Sequence, residues 1–221
     1  MSESKVIKVG VIGAGRIGKI HAENLATRIP GVVVEAIADV NLAAAQELAE
    51  KLHIPHSYAD YRKIMEDKSI DAVAICSSTN THADLMIEAA AAGKHVFCEK
   101  PIARSAEEAM SMVEAVEKAK VKNMVAFNYR FVPAIRLAKD LIDSGKLGKI
   151  YHFRAVYLQE WIMPHYGTPA IWRLDKKLAG SGALGDLGAH IIDLAHYLVG
   201  DIKAVSAMAK TFIDKRDGPE G

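Results

Sequence analysis

Cysteine is nearly absent: the 221 residues hold two, Cys76 and Cys98, each inside an apolar run. That scarcity excludes the disulfide framework of small secreted domains and points to a reducing, cytoplasmic setting. An excess of charge of one sign is missing too. The 28 Lys+Arg and 27 Asp+Glu leave a formal net charge of +1, which gives no footing for nonspecific nucleic-acid binding. No run of about 18 apolar residues occurs, so no segment reads as membrane-spanning. The apolar start VIKVGVIG is broken by Gly10, Gly13 and Gly15, and no small-residue cleavage pattern follows, so this stretch does not read as a secretory signal. Internal repeats and low-complexity tracts are also lacking.

What is present is a globular composition, 50% hydrophobic and 25% charged. The length suits one full domain and part of another. Over the first 128 residues, short β-branched runs alternate with segments of helical period, the pattern of βαβ units around a parallel sheet. The runs are Val6 to Ile12, Val33 to Ala38, Ala72 to Cys76, His95 to Cys98 and Met124 to Phe127. Nearly continuous apolar character marks them as strands covered on both faces. IGKIHAENLATRI, NLAAAQELAEKL, YRKIMED, HADLMIEAAAAG and SAEEAMSMVEAVEKAK read as the helices between them. Ser105 with Glu108 spells a capping box, and Gly93 a helix stop.

From residue 129 to 221 the rhythm changes. A helix is expected from about Pro133 to Ser144, stopped by Gly145. IYHFRAVYLQEW then alternates like a half-buried antiparallel strand. A Pro/Gly/Trp-rich loop from Trp161 to Trp172 leads to the turn AGSGALGDLG, a helix from about Leu187 to Val199, and a second strand from Ile202 to Phe212. Two strands rarely make a stable sheet, so this part reads as an incomplete α+β domain, cut off within its second sheet.

GAGRIG, from Gly13 through Gly15, Arg16 and Ile17 to Gly18, falls between the first strand and the first helix, where a helix N-terminus can hold a pyrophosphate. Asp39 closes the second strand, 21 positions after Gly18. It suits hydrogen bonding to the adenosine ribose hydroxyls and favours NAD over NADP, since Val40 and Asn41 supply no arginine for a 2′-phosphate. Asp39 also reads as an N-cap of the following helix. Glu99-Lys100-Pro101 stands at the carboxyl end of a strand, where open α/β sheets bind ligands, and Lys100 there can polarise a hydroxyl. Cys76 and Cys98, at the ends of strands that neighbour in the order 3-2-1-4-5-6, read as inert buried thiols.

Asp186, His190 and Asp193 share one helix face. A histidine between carboxylates suits a general base for an alcohol proton; a structural histidine and a metal site built from the three remain open beside it. His21, His53, His56 and His196 read as structural. Gln159, Trp161, Trp172 and Arg173 cluster about one loop, either as a sugar-binding aromatic face or as second-domain core and surface.

VGVIGAGRIGKIHAENL, GKHVFCEKPIA, FNYRF and GSGALGDLGAHIIDLAHYLVG together resemble the Gfo/Idh/MocA family of NAD(P)-dependent oxidoreductases over nearly the whole chain. YLQEW, from Tyr157 to Trp161, with WRLDKKLAGSGALGD, from Trp172 to Asp186, looks most like the branch that acts on levoglucosan and on cyclic polyols such as inositols. The resemblance implies a Rossmann domain followed by an open, largely antiparallel α/β domain. It implies Lys100, Asp186 and His190 as catalytic residues with no metal, Glu99 and Lys100 beside the cofactor, and Tyr129 and Arg130 near a sugar or cyclitol substrate. It also implies a homo-oligomer formed through the second-domain sheet. Family members run well past this chain's length. A non-catalytic NAD-binding regulator and an NAD-dependent redox-neutral glycoside hydrolase are the competing functions.

Overall fold

The computed structural model describes residues 5–168 and 171–215. The chain divides after Ala126 into two compact units, Met1–Ala126 and Phe127–Gly221. In the first, β1 (Ile7–Ile12), β2 (Val32–Ala38), β3 (His56–Tyr58), β4 (Ala72–Ile75), β5 (His95–Cys98) and β6 (Asn123–Val125) form one sheet. Its order is β3-β2-β1-β4-β5-β6, with every pair parallel. The connections are α1 (Arg16–Thr27), α2 (Leu42–Leu52), α3 (Arg62–Glu66), α4 (His82–Ala91) and α5 (Ala106–Ala119). Winding reverses between β1 and β4, which opens a crevice beyond their carboxyl ends.

Strand periodicity divides the core between the two faces of the sheet. Val9 and Val11 of β1, Val34 and Ile37 of β2 and Ala74 of β4 pack with Ala22 of α1 and Ala45 and Leu48 of α2. On the other face Ile12, Val73, Ile75 and Val96 meet Ile64 of α3, Leu85 and Met86 of α4 and Met112 and Val116 of α5. Burying each large aliphatic side chain contributes roughly 1.5–3 kcal/mol. Gly10 lets α3 lie close, since a Cβ there would stand 2.3 Å from the Ile64 side chain.

Helix ends follow local chemistry, with one rearrangement. Ser105 caps α5 by accepting from Glu108 N. The capping box does not close, because the Glu108 carboxylate accepts from Arg104 N and its guanidinium rather than from Ser105 N. The charged fork outcompetes a single neutral amide. Gly93 follows α4 with a φ of +73° and so ends it.

The second unit carries α6 (Pro133–Asp143), a short α7 (Lys176–Ala179), a π-helical turn over Leu184–Gly188 and α8 (Ala189–Leu198). Neither expected strand forms among the described residues: 150–160 and 201–211 carry no regular secondary structure and pair with no strand. A strand exists by pairing, and these segments have no hydrogen-bonded neighbour. Their apolar side chains accordingly stay open, Leu158 at 85%, Val205 at 85% and Met208 at 99%.

Candidate active site

The glycine loop is built by close backbone approach. Gly13 has a φ of +106°, and a Cβ there would meet Cys76 C and O and Ser77 N within 2.9 Å. A Cβ at Gly18 would fall 1.8 Å from Gly13 O, while one at Gly15 would meet nothing within 4 Å. The loop is therefore packed underneath and open above. Gly15 is the N-cap of α1 and offers no side-chain cap to the first-turn amides. An open, uncapped helix start fits a pyrophosphate. Arg16 lies exposed at that start, and Ile17 packs back on the core.

Asp39 is tied into this loop. Its Oδ2 accepts from Ala14 N at 2.6 Å and its Oδ1 from Asn41 N at 2.8 Å. The N-cap reading of Asp39 is corrected: Asn41 caps α2, accepting from Ala44 N. Val40, 97% exposed, and Asn41 bring no cation to the carboxylate.

Beyond β5, Glu99 N donates to Ile75 O, the last backbone tie before Lys100. The Glu99 carboxylate then divides. Oε2 accepts from Lys100 N at 3.1 Å, and Oε1 lies 2.7 Å from His21 Nε2. The His21 ring stands edge-on to Phe97. His21, read as structural from the sequence, is thus a direct partner of a cofactor-site candidate. The Lys100–Pro101 peptide is cis. Cys76 and Cys98 are buried free thiols whose ionisation burial makes harder, with Cys98 pushed up to about 12.

In the second unit, His190 is the second residue of α8 and is 5% exposed. Its ring tilts on Tyr129 at 4.4 Å between centroids, with Phe127 and Tyr157 edge-on at 6.1 Å each. Tyr157 is not among the site residues expected from the sequence, yet Tyr157, Gln159 and Trp161 alternate along the chain. They form a single chain of bonds. Trp161 Nε1 donates to Gln159 Oε1 at 2.9 Å, Gln159 Nε2 donates to the Tyr157 hydroxyl at 2.7 Å, and that hydroxyl lies 2.6 Å from the Tyr129 hydroxyl. The bond to Tyr129, then burial, then the negative charge of Asp186 push Tyr157 up to about 12.

The flanking carboxylates are used differently from the one-face reading. Asp193, 6% exposed, receives both arms of the Arg130 fork rather than flanking His190. Arg130 is therefore committed to an internal ion pair, with Tyr197 under its guanidinium. Asp186 sits in the π-helical turn, 3.7 Å from Arg173 Nε, and Arg173 stacks on Trp172. The extra residue of the π turn takes Asp186 off the regular α-helical spacing to His190. Trp172 also lines a cavity of about 620 Å³ with Ile162, Met163, Ile171 and Leu178, which includes none of the catalytic candidates. Among the described residues no three His, Cys, Asp or Glu side chains are grouped to hold a metal ion. None of the described helices is long and apolar enough to cross a membrane.

Comparison with known proteins matches both units to described families. Residues 7–127 match the family model described as an oxidoreductase family with an NAD-binding Rossmann fold, and residues 135–220 match the GFO/IDH/MocA C-terminal domain. The chain is 43% identical to a levoglucosan dehydrogenase of Pseudarthrobacter phenanthrenivorans over 95% of its own length and 55% of the relative's. It is 37% identical to a myo-inositol 2-dehydrogenase of Thermotoga maritima, over 97% of this chain and 62% of that one. A solved levoglucosan dehydrogenase in complex with NADH and levoglucosan superposes with a TM-score of 0.91 at 41% identity, covering 97% of this chain and 60% of that one. The chain thus spans little more than half the length of these relatives. With both of its units matched by the paired family models, it belongs to the GFO/IDH/MocA oxidoreductase family.

Proposed function

We propose that this chain carries the cofactor-binding and proton-transfer parts of an NAD-dependent dehydrogenase that oxidises a secondary hydroxyl of a cyclitol or sugar, of the inositol or levoglucosan type. The observation that carries the reading is His190, buried beneath the Tyr129 ring and beside a row of hydroxyl, amide and indole groups suited to a polyol. Relatives named for levoglucosan and myo-inositol support the substrate class.

His190 accepts the hydroxyl proton as the carbon–hydrogen bond breaks with its electron pair, leaving a ketone. Bound NAD supplies the acceptor for that hydride. Lys100 hydrogen-bonds the same oxygen and stabilises its alkoxide character, and Asp186, held beside Arg173, orients the substrate. Gln159, Trp161, Trp172 and Arg173 bind the remaining hydroxyls and ring faces, together with Tyr129. Arg130 serves this site by holding α8 through Asp193. Gly13, Gly15, Arg16, Ile17 and Gly18 would hold the pyrophosphate, Asp39 would accept from the adenosine ribose, and Glu99 and Lys100 would complete the cofactor-binding residues. NADP is disfavoured by the Asp39 carboxylate.

The reading places the protein in the cytoplasm, which two free buried thiols support. It makes the protein a homo-oligomer, supported by apolar side chains left open along 150–160 and 201–211.

The test is absorbance of NADH as the intact protein meets NAD with levoglucosan, myo-inositol, scyllo-inositol and L-sorbose. A rise with one of them, lost in His190→Ala and Lys100→Ala while NAD still binds, is expected. NAD binding with no rise on any alcohol would remove the dehydrogenase reading.

A further inference from the structure

The backbone leaves the sheet at Glu99, so the direction of Lys100 depends on what holds the segment after β5. On one side the hold is Glu99, accepting from Lys100 N while paired with His21. On the other side Pro101 has no N–H, and its carbonyl is met by a side chain from the start of α4. His82, the first residue of α4 and only 1% exposed, places Nδ1 2.9 Å from Pro101 O and Nε2 3.1 Å from Ser77 O. Ser77 follows β4, and its amide is one of the atoms against which Gly13 packs. The ring therefore joins the floor of the glycine loop to the residue next to Lys100.

Both of these acceptors are carbonyls, and a neutral imidazole has one N–H to give. Burial disfavours the charged ring, against the pull of the backbone contacts at Ser77, Pro101 and Ile102 and of the Glu99 charge. The other charge facing it is Glu108 of α5, itself held by Arg104. The single proton belongs on the nitrogen with the shorter contact, Nδ1.

We propose that His82 is a positioning residue for Lys100, donating its Nδ1–H to the Pro101 carbonyl and so fixing the backbone from which the lysine reaches. This rests on the dehydrogenase reading for the role of Lys100, though the bond itself does not. Sequence spacing hid it, since His82 starts α4 and Pro101 lies 19 residues on, beyond β5.

Two amide variants separate this role from mere packing. The side-chain nitrogen of His82→Asn falls near Nδ1 and can still donate to Pro101, whereas that of His82→Gln falls near Nε2 and reaches Ser77 instead. The Asn variant is expected to keep turnover within about threefold. The Gln variant is expected to lose on the order of tenfold in kcat, the net worth of one hydrogen bond, with the Kd for NAD changed by less than about twofold. Equal losses in the two variants, or NAD affinity falling in step with kcat, would overturn the proposal. Histidine 15N–1H correlation spectra of the wild-type protein at pH 7 decide it without any variant: protonation of His82 at Nδ1 is expected, and protonation at Nε2 overturns it. Were the wild type to transfer no hydride from any alcohol, the dehydrogenase reading would fail, while the ring tautomer would still test the bond.

Discussion

Arg130 and Asp193 form a two-armed ion pair in which the carboxylate is almost wholly buried and the guanidinium is not: their side chains are 5% and 39% exposed respectively. The asymmetry matters because the two partners lose different things when parted. Without Asp193, the guanidinium can turn toward water while keeping Tyr197 beneath it. Without Arg130, a carboxylate is left inside the unit.

Arg130→Met is therefore expected to destabilise the second unit by about 3 kcal/mol, in the range for an orphaned buried charge. Asp193→Asn, which keeps an acceptor oxygen, should cost roughly half that or less. Urea denaturation followed by the fluorescence of Trp161 and Trp172 measures both. Equal costs would mean that the pair is not held as a buried carboxylate against an open cation.

Asp39 makes a prediction about cofactor choice. Its two oxygens tie the glycine loop to the start of α2, through Ala14 N and Asn41 N. Asp39→Ala removes the proposed ribose acceptor and loosens the loop together. NAD affinity is expected to fall by about tenfold or more, and NADP to gain relative to NAD because the like-charge repulsion has gone. Calorimetric titration with both dinucleotides reads the ratio, and an unchanged ratio would show that Asp39 does not face the ribose.

These contrasts follow what a sequence can carry. The glycine loop, Asp39 and Glu99-Lys100-Pro101 are legible because each depends on its own strand end, and apolar runs mark those ends. β3 is not legible in that way: His56, Ser57 and Tyr58 pair only with β2 at the sheet edge and need no apolar run. The alternation of 150–160 is real, and it brings Tyr157, Gln159 and Trp161 into one chain of bonds, yet alternation cannot supply a pairing partner. Long-range pairing is the least legible feature. Arg130 and Asp193 are 63 residues apart, and His21 and Glu99 are 78 apart. Nothing local in either sequence segment names the other.

Stability toward acid is expected to depend on Asp71. Hydrogen bonds from Lys5 and from Lys8 N hold its carboxyl below the usual range. A depressed folded-state pKa stabilises the fold above the unfolded value of about 3.9, and the gain is lost as pH falls through the folded value. Asp71→Asn should lower the denaturation midpoint at neutral pH and converge with wild type in strong acid. Parallel curves over the whole acid limb would refute this linkage.

Two glycines of the same loop should fail in opposite ways. A Cβ at Gly18 meets the Gly13 carbonyl at 1.8 Å, a backbone atom that cannot turn aside. Gly18→Ala must shift the loop or α1, at a cost of about 1–3 kcal/mol in stability, and NAD binding falls with it. Gly15 is the reverse case, since its Cβ would meet nothing within 4 Å and its backbone is extended, with a φ of −69°. Gly15→Ala should keep stability within about 1 kcal/mol of wild type. Its methyl group enters the open space over the α1 N-terminus, the proposed pyrophosphate position, so NAD affinity should drop by an order of magnitude or more while the melting temperature holds. The pair of measurements, melting temperature and NAD titration, separates a loop that supports the fold from a loop that receives a ligand. A Gly15→Ala protein that binds NAD as tightly as wild type would place the phosphates elsewhere and withdraw the loop from the cofactor site.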